Sequence, residues 1–213
     1  MNDGTHKRPS CLSCLRPLKT CVCKHIQIVE NETQLVILQH SLEVTEAKNT
    51  GRLLHLCLKN SQIFEGETFG DSFLKIMQTD RFRDLLLYPE DQESSISNNA
   101  PIAEDYDANE WRSGNSQVPL PYRLWVLDAT WRKSRKMLYL NPFLQRMPRL
   151  SLDNCPSSLY TIRKAHKENQ LSTLEASCYA LHKLEANRVD YSPVLNAFAA
   201  FVAEQHTFLP SST

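Results

Sequence analysis

The sequence predicts an α/β protein with a mostly parallel sheet and flanking helices, on three observations. Gln34–Gln39, Asp84–Tyr88 and Arg123–Leu127 are nearly continuous apolar runs, the pattern of strands covered on both faces. Helical patterns separate these runs, as crossover connections between parallel strands require. With 213 residues and 41% hydrophobic content, the chain can bury one compact core with a small appendage.

The elements follow in order. Residues 1–30 are dominated by cysteines and bases and show little hydrophobic periodicity, so something other than a core must hold them. Residues 31–213 form the main domain. Gln34–Gln39 is its first strand and Asn49–Leu58 a helix with a leucine-rich face. Gln62–Phe64 reads as a short strand, Ser72–Gln78 as a short helix, and Asp84–Tyr88 as a strand ended by Pro89, which supplies no backbone donor. Residues 90–121, rich in Ser, Asn, Asp and Glu, read as a flexible acidic insertion, with an ordered loop anchored by Trp111 as the alternative. Arg123–Leu127 is the third buried strand. A helix over Trp131–Leu140 stops near Asn141-Pro142. Short strands at Arg149–Leu152 and Tyr160–Ile162 precede two closing helices, Ser172–Ala186 and Ser192–Gln205. In the first of these, Leu174, Cys178, Leu181 and Glu185 share a mostly apolar face.

No run of eighteen apolar residues exists, and the polar start lacks the apolar segment of a secretory leader. Seven cysteines in such a chain point to a reducing, cytoplasmic setting, where metal binding or buried thiols outrank disulfides. The zero net charge conceals an uneven distribution. Arg123, Arg132, Lys133, Arg135, Lys136, Arg146 and Arg149 against Asp128 give residues 123–149 a charge of +6. Residues 90–110 carry seven acids and no base.

Four thiols lie within thirteen residues, as Cys11-x2-Cys14-x6-Cys21-x-Cys23. They can fold back to offer a tetrahedron of sulfurs, the usual structural zinc site, with an iron–sulfur cluster as the alternative. Lys7, Arg8, Arg16, Lys19 and Lys24 favour the thiolates. Four sulfurs close a coordination sphere, so such a metal is structural. Cys57, Cys155 and Cys178 are isolated, and the first and last sit in helices as core thiols.

In a parallel sheet ligands sit beyond the carboxyl ends of the strands. Here those ends are Gln39-His40, Tyr88-Pro89 and Asp128-Ala129. An acid in this place suits chemistry, and equally suits a helix cap, with Asp128 or Thr130 accepting a backbone N–H. The following helix aligns Arg132, Arg135 and Lys136 on one face, either a phosphate-contacting stripe or a solvated surface. His40 reads as a satisfied loop histidine or a substrate contact, and Arg52 as a surface residue or a phosphate ligand. Arg163 and Lys164, near His166, extend the basic surface. Trp125 and Trp131 read as packing residues. Ser172-Thr173-Leu174-Glu175 is a capping box opening a helix, and its hydroxyls and amides equally suit a bound carboxylate.

The run Leu127-Asp128-Ala129-Thr130-Trp131-Arg132-x-x-Arg135-Lys136-Met137-Leu138 with Asn141-Pro142 resembles the signature of the DTW-domain family, the tRNA-uridine aminocarboxypropyltransferases. Other blocks are similar and in the family's order: Cys11-x2-Cys14-x-Arg16-Pro17 with Cys21-x-Cys23, Gln39-His40-x-x-Glu43, Asn49-Thr50-Gly51-Arg52-Leu53, Leu86-Leu87-Tyr88-Pro89, Tyr160-x-Ile162-Arg163 and Leu171-Ser172-Thr173-x-Glu175-Ala176. Ser41 departs from an expected Pro and Lys133 from an expected Gln, and the insertion is long.

The resemblance implies a SPOUT-like fold with a C-terminal trefoil knot. It implies transfer of the 3-amino-3-carboxypropyl group of S-adenosylmethionine to N3 of a tRNA uridine, and the chain is expected to act as a monomer. The donor site then falls on Leu87, Tyr88, Pro89, Leu127, Asp128, Ala129, Leu171, Ser172 and Thr173, with Asp128 as the catalytic carboxylate. His40, Arg52, Arg132, Arg135, Lys136 and Arg163 become RNA contacts, and Cys11, Cys14, Cys21 and Cys23 hold structural Zn2+. The lack of a GxGxxG turn fits, since S-adenosylmethionine has no pyrophosphate to cradle. Competing readings are an RNA methyltransferase of the knotted class and a non-enzymatic RNA-binding zinc protein.

Overall fold

A computed structural model describes residues 9–46, 48–77, 81–89, 120–152, 158 and 171–207. Nearly all of the 90–121 segment, Trp111, the Tyr160–Ile162 strand, Cys155, Arg163, Lys164 and His166 lie outside the described residues.

Five strands form one parallel sheet: β1 (Gln34–Gln39), β2 (Ser61–Glu65), β3 (Arg83–Leu87), β4 (Tyr122–Asp128) and β5 (Arg149–Leu150), in the order β2-β1-β4-β3-β5. The helices are α1 (Gly51–Cys57), α2 (Asp71–Met77), α3 (Trp131–Leu140), α4 (Pro142–Gln145), α5 (Thr173–Leu184) and α6 (Ser192–Thr207). The predicted strands at Gln34–Gln39, Gln62–Phe64, Asp84–Tyr88, Arg123–Leu127 and Arg149–Leu152 and the predicted helices stand within a few residues of their expected bounds.

Successive residues of a strand face opposite sides, and both sides here are covered. On one face Leu35, Ile37, Leu124 and Val126 pack with Leu53, Leu54, Leu181 and Phe198 of α1, α5 and α6. On the other, Val36, Leu38, Trp125 and Leu127 pack with Met137, Leu138, Phe143 and Leu144 of α3 and α4. Phe73 of α2 joins this second core, meeting Trp125 edge-on at 6.2 Å. Leu35, Val36, Ile37 and Leu38 are all fully buried. Each such side chain contributes about 1.5–3 kcal/mol of burial, which is why this short run needs no alternation to specify a strand.

Local chemistry sets the boundaries. The helix expected from Asn49 begins at Gly51, because Asn49 turns its side chain to other work. The chain does stop being α3 at Asn141, but Pro142 opens α4, a further turn absent from the sequence reading. Proline suits a first helical turn, where its missing N–H has no partner to lose. Asn141 is 1% exposed and donates to the carbonyls of Met137 and Glu67 while accepting from Phe69 N–H, so it pins the loop after β2 to α3.

The cysteine segment packs on the same core as the sheet: Cys14 and Val22 are buried in the cluster that holds α1, α5 and α6. Among the described residues no helix is long and apolar enough to cross a membrane.

Candidate functional site

The parallel register brings the strand ends together. Gln39 pairs with Asp128 across β1 and β4, and Leu87 with Val126 and Leu150. Asp128 closes β4 at 4% exposure, and its side chain does not cap α3. The α3 cap position is Thr130, which makes no side-chain capping bond either, so the capping alternative is overturned. The carboxylate instead gathers three segments. Its Oδ2 accepts from Gln39 Nε2 at 2.8 Å and from Asn49 Nδ2 at 2.5 Å, and Thr173 at the start of α5 adds a side-chain hydrogen bond. Gln39 Nε2 also donates to Asn49 Oδ1 at 3.0 Å, so the two amides brace each other. Burial dominates the electrostatics and raises the Asp128 pKa above its ordinary value. The three hydrogen bonds oppose that shift, and Glu43 reinforces it.

At the start of α5, Ser172 and Glu175 form the predicted capping box. Glu175 N–H donates to Ser172 Oγ at 3.2 Å, and Ser172 N–H donates to Glu175 Oε2 at 2.8 Å. Ser158 Oγ also donates to Glu175 Oε2, at 2.8 Å. Ser172 is therefore committed to the helix, while Thr173 faces Asp128. Leu171 is half-buried just before them. Tyr88 is buried under Trp131, and the Arg149 guanidinium lies 5.4 Å from the Tyr88 ring centre. Arg149 Nη1 donates to the Pro89 carbonyl at 3.2 Å. Leu127 and Ala129 pack in the second core beside them.

Trp131 is not a core residue, contrary to the sequence reading. It is 47% exposed, its ring edge-on to Tyr88 at 6.0 Å. It opens α3 on the same side as Ser134 and Leu138, but one turn before the buried stretch begins, so its ring overhangs Tyr88 instead of entering the core.

Of the residues expected to meet RNA, Arg132 and Arg135 are exposed on α3. Lys136 and His40 converge on one carboxylate, Glu67: Lys136 Nζ is 2.9 Å and His40 Nε2 3.1 Å from its Oε1. Lys136 and then His40 hold Glu67 below the usual carboxylate range. His40 Nδ1 accepts from Leu42 N–H at 3.1 Å, so its ring is satisfied on both sides. Arg52 points back into the cysteine segment, donating twice to the Ser13 carbonyl. Lys133, at the position expected to hold Gln, pairs with the buried Glu43 at 2.8 Å.

The four cysteines close a compact cluster. Cys11 and Cys23 sulfurs lie 3.6 Å apart, those of Cys14 and Cys21 lie 3.7 Å apart, and all four sit within 4.8 Å of one another. A tetrahedral ion with metal–sulfur bonds of about 2.3 Å requires sulfur separations of about 3.8 Å, so the set fits a metal ion. Backbone amides of Cys14 and Ser13 bring the Cys11 thiol down to about 6, toward the thiolate a metal needs. Leu15, at φ 59°, makes the left-handed turn that closes this knuckle.

Sequence reasoning assigns no role to Gln39, Asn49, Gly51 or Glu67, and to Arg16 only a charge near the thiolates. Gln39, Asn49, Gly51 and Arg16 lie inside the family-like blocks, which was the available signal.

A parallel α/β sheet with a buried, multiply bonded carboxylate at its carboxyl edge defines the class of α/β proteins that bind ligands beyond their strand ends. The chain belongs to the DTW domain family, whose model matches residues 8–206. It is similar to the tRNA-uridine aminocarboxypropyltransferase 2 of Macaca fascicularis, 26% identical over 209 residues, covering 95% of this chain and 65% of that protein. The Mus musculus protein of the same name is 27% identical over 207 residues, with the same coverage of 95% and 65%. The tRNA-uridine aminocarboxypropyltransferase A of Arabidopsis thaliana is 27% identical over 146 residues, 64% of this chain and 52% of that protein. The chain thus spans 65% of the length of the macaque and mouse relatives. No solved structure matches.

Proposed function

We propose that this chain is a tRNA-modifying transferase that moves the 3-amino-3-carboxypropyl group of S-adenosylmethionine to N3 of a tRNA uridine. The observation that carries the reading is Asp128. It is a carboxylate made more basic by burial, at the carboxyl edge of a parallel sheet, in a chain of this family. The names of the similar proteins support the reaction.

The uridine imide N3 is weakly acidic and must lose its proton to become a nucleophile. Asp128 takes that proton, N3 attacks the γ-carbon of the methionyl chain, and the carbon–sulfur bond breaks. Methylthioadenosine departs as a neutral thioether, and the carboxyl returns its proton to water. The negative charge of N3 and the positive charge of the sulfonium cancel in the new bond. A base with a raised pKa is better matched to such a proton than an ordinary aspartate. Selection of the γ-carbon over the methyl group is a matter of how the donor is posed.

The donor lies against Leu87–Pro89, Leu127–Ala129 and Leu171–Thr173, in the SPOUT-like trefoil knot that the family resemblance implies. Ser172 acts there by holding the α5 N-terminus in shape, and Thr173 by its bond to Asp128. The tRNA approaches over α3, with Arg132, Arg135 and Lys136 on its phosphates and Trp131 offering a ring for base stacking. His40 and Arg52 are further RNA contacts in this reading, as is Arg163, which lies outside the described residues. Zn2+ is the ion held by Cys11, Cys14, Cys21 and Cys23. The enzyme acts as a monomer in a reducing cytoplasm.

Nucleoside mass spectrometry on unmodified tRNA incubated with the purified protein and S-adenosylmethionine tests the reading. A uridine heavier by one aminocarboxypropyl group, with methylthioadenosine released, is expected. A methylated nucleoside with adenosylhomocysteine moves the chain to the methyltransferases, and no product on a broad tRNA pool leaves an RNA-binding protein.

A further inference from the structure

The four-cysteine knuckle and the buried carboxylate are joined by a short chain of side chains. Two guanidinium groups clamp the knuckle to the turn that opens α1. Arg52 donates from Nε at 3.1 Å and Nη2 at 3.0 Å to the carbonyl of Ser13, which lies between Cys11 and Cys14. Arg16, two residues beyond Cys14, is 8% exposed and donates from Nη2 to the carbonyl of Asn49 at 2.7 Å. Its guanidinium rests 4.4 Å from the ring centre of Phe201 in α6. The knuckle fixes the backbone on either side of these contacts, since Cys11 N–H donates to the Arg16 carbonyl at 2.7 Å and Leu15 N–H to the Cys11 carbonyl at 2.9 Å.

Asn49 is the residue that both clamps immobilise, and it bonds Asp128 directly. Its Nδ2 donates to Asp128 Oδ2 at 2.5 Å, while its Oδ1 accepts from Gln39 Nε2 at 3.0 Å and from Arg52 N–H at 3.3 Å. The path from metal site to carboxylate therefore runs through one arginine and one asparagine.

We propose that Arg16 is a positioning residue that, through Asn49, transmits the state of the four-cysteine site to the Asp128 carboxylate. The inference rests on the reading of Asp128 as the proton acceptor. A metal that merely stabilises a surface segment would leave Asp128 alone once the fold is formed. Here a loosened knuckle frees Arg16, the Asn49 turn relaxes, and the carboxylate loses one of the donors that hold its charged form. The other groups facing Asp128 are Gln39 from β1, Thr173 from α5 and Glu43, itself paired with Lys133, from the turn after β1.

The test uses the full chain loaded with Zn2+ and labelled with 13C at aspartate carboxyls, Asp128→Asn assigning the resonance. In Arg16→Met the Asp128 titration midpoint is expected to move upward, because a hydrogen bond to the ionised form is lost. Turnover is expected to fall about 10- to 100-fold, the scale of a misplaced catalytic group, with KM for S-adenosylmethionine little changed. Arg16→Lys, which keeps one charged donor, should recover part of both. A wild-type midpoint in Arg16→Met with zinc bound overturns the proposal. If zinc leaves with the substitution, added Zn2+ must refill the site without restoring the midpoint, and restoration also overturns it. Should Arg16→Met not fold, the wild-type chain is titrated with and without Zn2+: an upward shift of the Asp128 midpoint on verified metal removal is expected, and an unchanged midpoint overturns the proposal. If wild-type protein transfers nothing to tRNA, the transferase reading falls while the resonance still reports the coupling.

Discussion

A Cβ on Gly51 would sit 2.2 Å from Oδ2 of Asp128 and 2.6 Å from its Cγ. The helix α1 therefore starts against the buried carboxylate at a distance only glycine allows. The obstructing atoms cannot swing aside, because Gln39, Asn49 and Thr173 hold them and the residue is buried.

Gly51→Ala is accordingly a severe substitution, although alanine is ordinarily the better helix former by about 1 kcal/mol. Overpacking of this kind costs about 1–3 kcal/mol, lowering the melting temperature by about 2–4 °C per kcal/mol for a chain of this size. Thermal denaturation should show that loss, and the proposed transferase activity should fall far more than the stability does. Wild-type stability in Gly51→Ala would mean that the start of α1 is free to shift away from the carboxylate.

Asp128→Asn separates the two consequences of burying this acid. Its folded pKa is raised by desolvation. The sign follows: the carboxyl favours folding fully below its unfolded value of about 3.9, and that contribution is lost as pH rises through the higher folded value. The asparagine variant lacks this loss, so relative to wild type it gains stability as pH climbs above about 4. Its turnover should drop by about two to four orders of magnitude. Urea titrations at several pH values and single-turnover assays give the two readings. Equal turnover in both proteins removes Asp128 from the proton transfer.

The strands and helices were legible because burial on both faces leaves a mark in the sequence. Leu35–Leu38, Leu85–Leu86 and Leu124–Leu127 are apolar without interruption, and the capping box at Ser172 is a local signal read at its own spacing. The place of Asp128 was legible too, since a strand end is where a parallel sheet exposes its chemistry. Its partners were not. Gln39 and Asn49 stand 89 and 79 residues away from Asp128 and are polar residues in no periodic pattern. Trp131 misled for the opposite reason. A tryptophan opening an amphipathic helix is usually buried, and only the tertiary placement of Tyr88 beneath it leaves it exposed. Arg52 looked like a surface cation because nothing local announces the Ser13 carbonyl 39 residues earlier.

Removal of metal from the four-cysteine cluster should loosen residues 9–30 and spare the sheet. The sulfurs of Cys11, Cys14, Cys21 and Cys23 lie within 4.8 Å of one another, and Cys23 is pushed up to about 12 by burial and neighbouring thiols. A cluster of protonated thiols has little reason to stay together, since binding of the ion contributes directly to folding such a segment. Chelation, or Cys14→Ser, is expected to expose residues 9–30 to limited proteolysis while the far-ultraviolet circular dichroism stays near wild type. Unchanged protection after verified metal loss would show that Val22 and the Arg16–Phe201 contact suffice to hold the segment.

The exposed side of α3 should carry nucleic-acid affinity with two separable components. Arg132 and Arg135 are exposed, whereas Lys136 is already engaged by Glu67. Replacing both arginines with alanine should lower the slope of log affinity against log salt by about 2, one unit for each phosphate no longer neutralised. Melting temperature should hardly move, since neither side chain belongs to the core. Trp131→Ala removes a stacking surface instead, so it should weaken tRNA binding by about 1–3 kcal/mol at every salt concentration without altering the slope. Trp131→Phe should recover much of that loss, because the ring rather than the indole N–H does the stacking. Filter binding over a salt series distinguishes the two. A slope unchanged by the double arginine variant would place the phosphate track elsewhere on the surface, and unweakened binding by Trp131→Ala would leave Trp131 as no more than a cover over Tyr88.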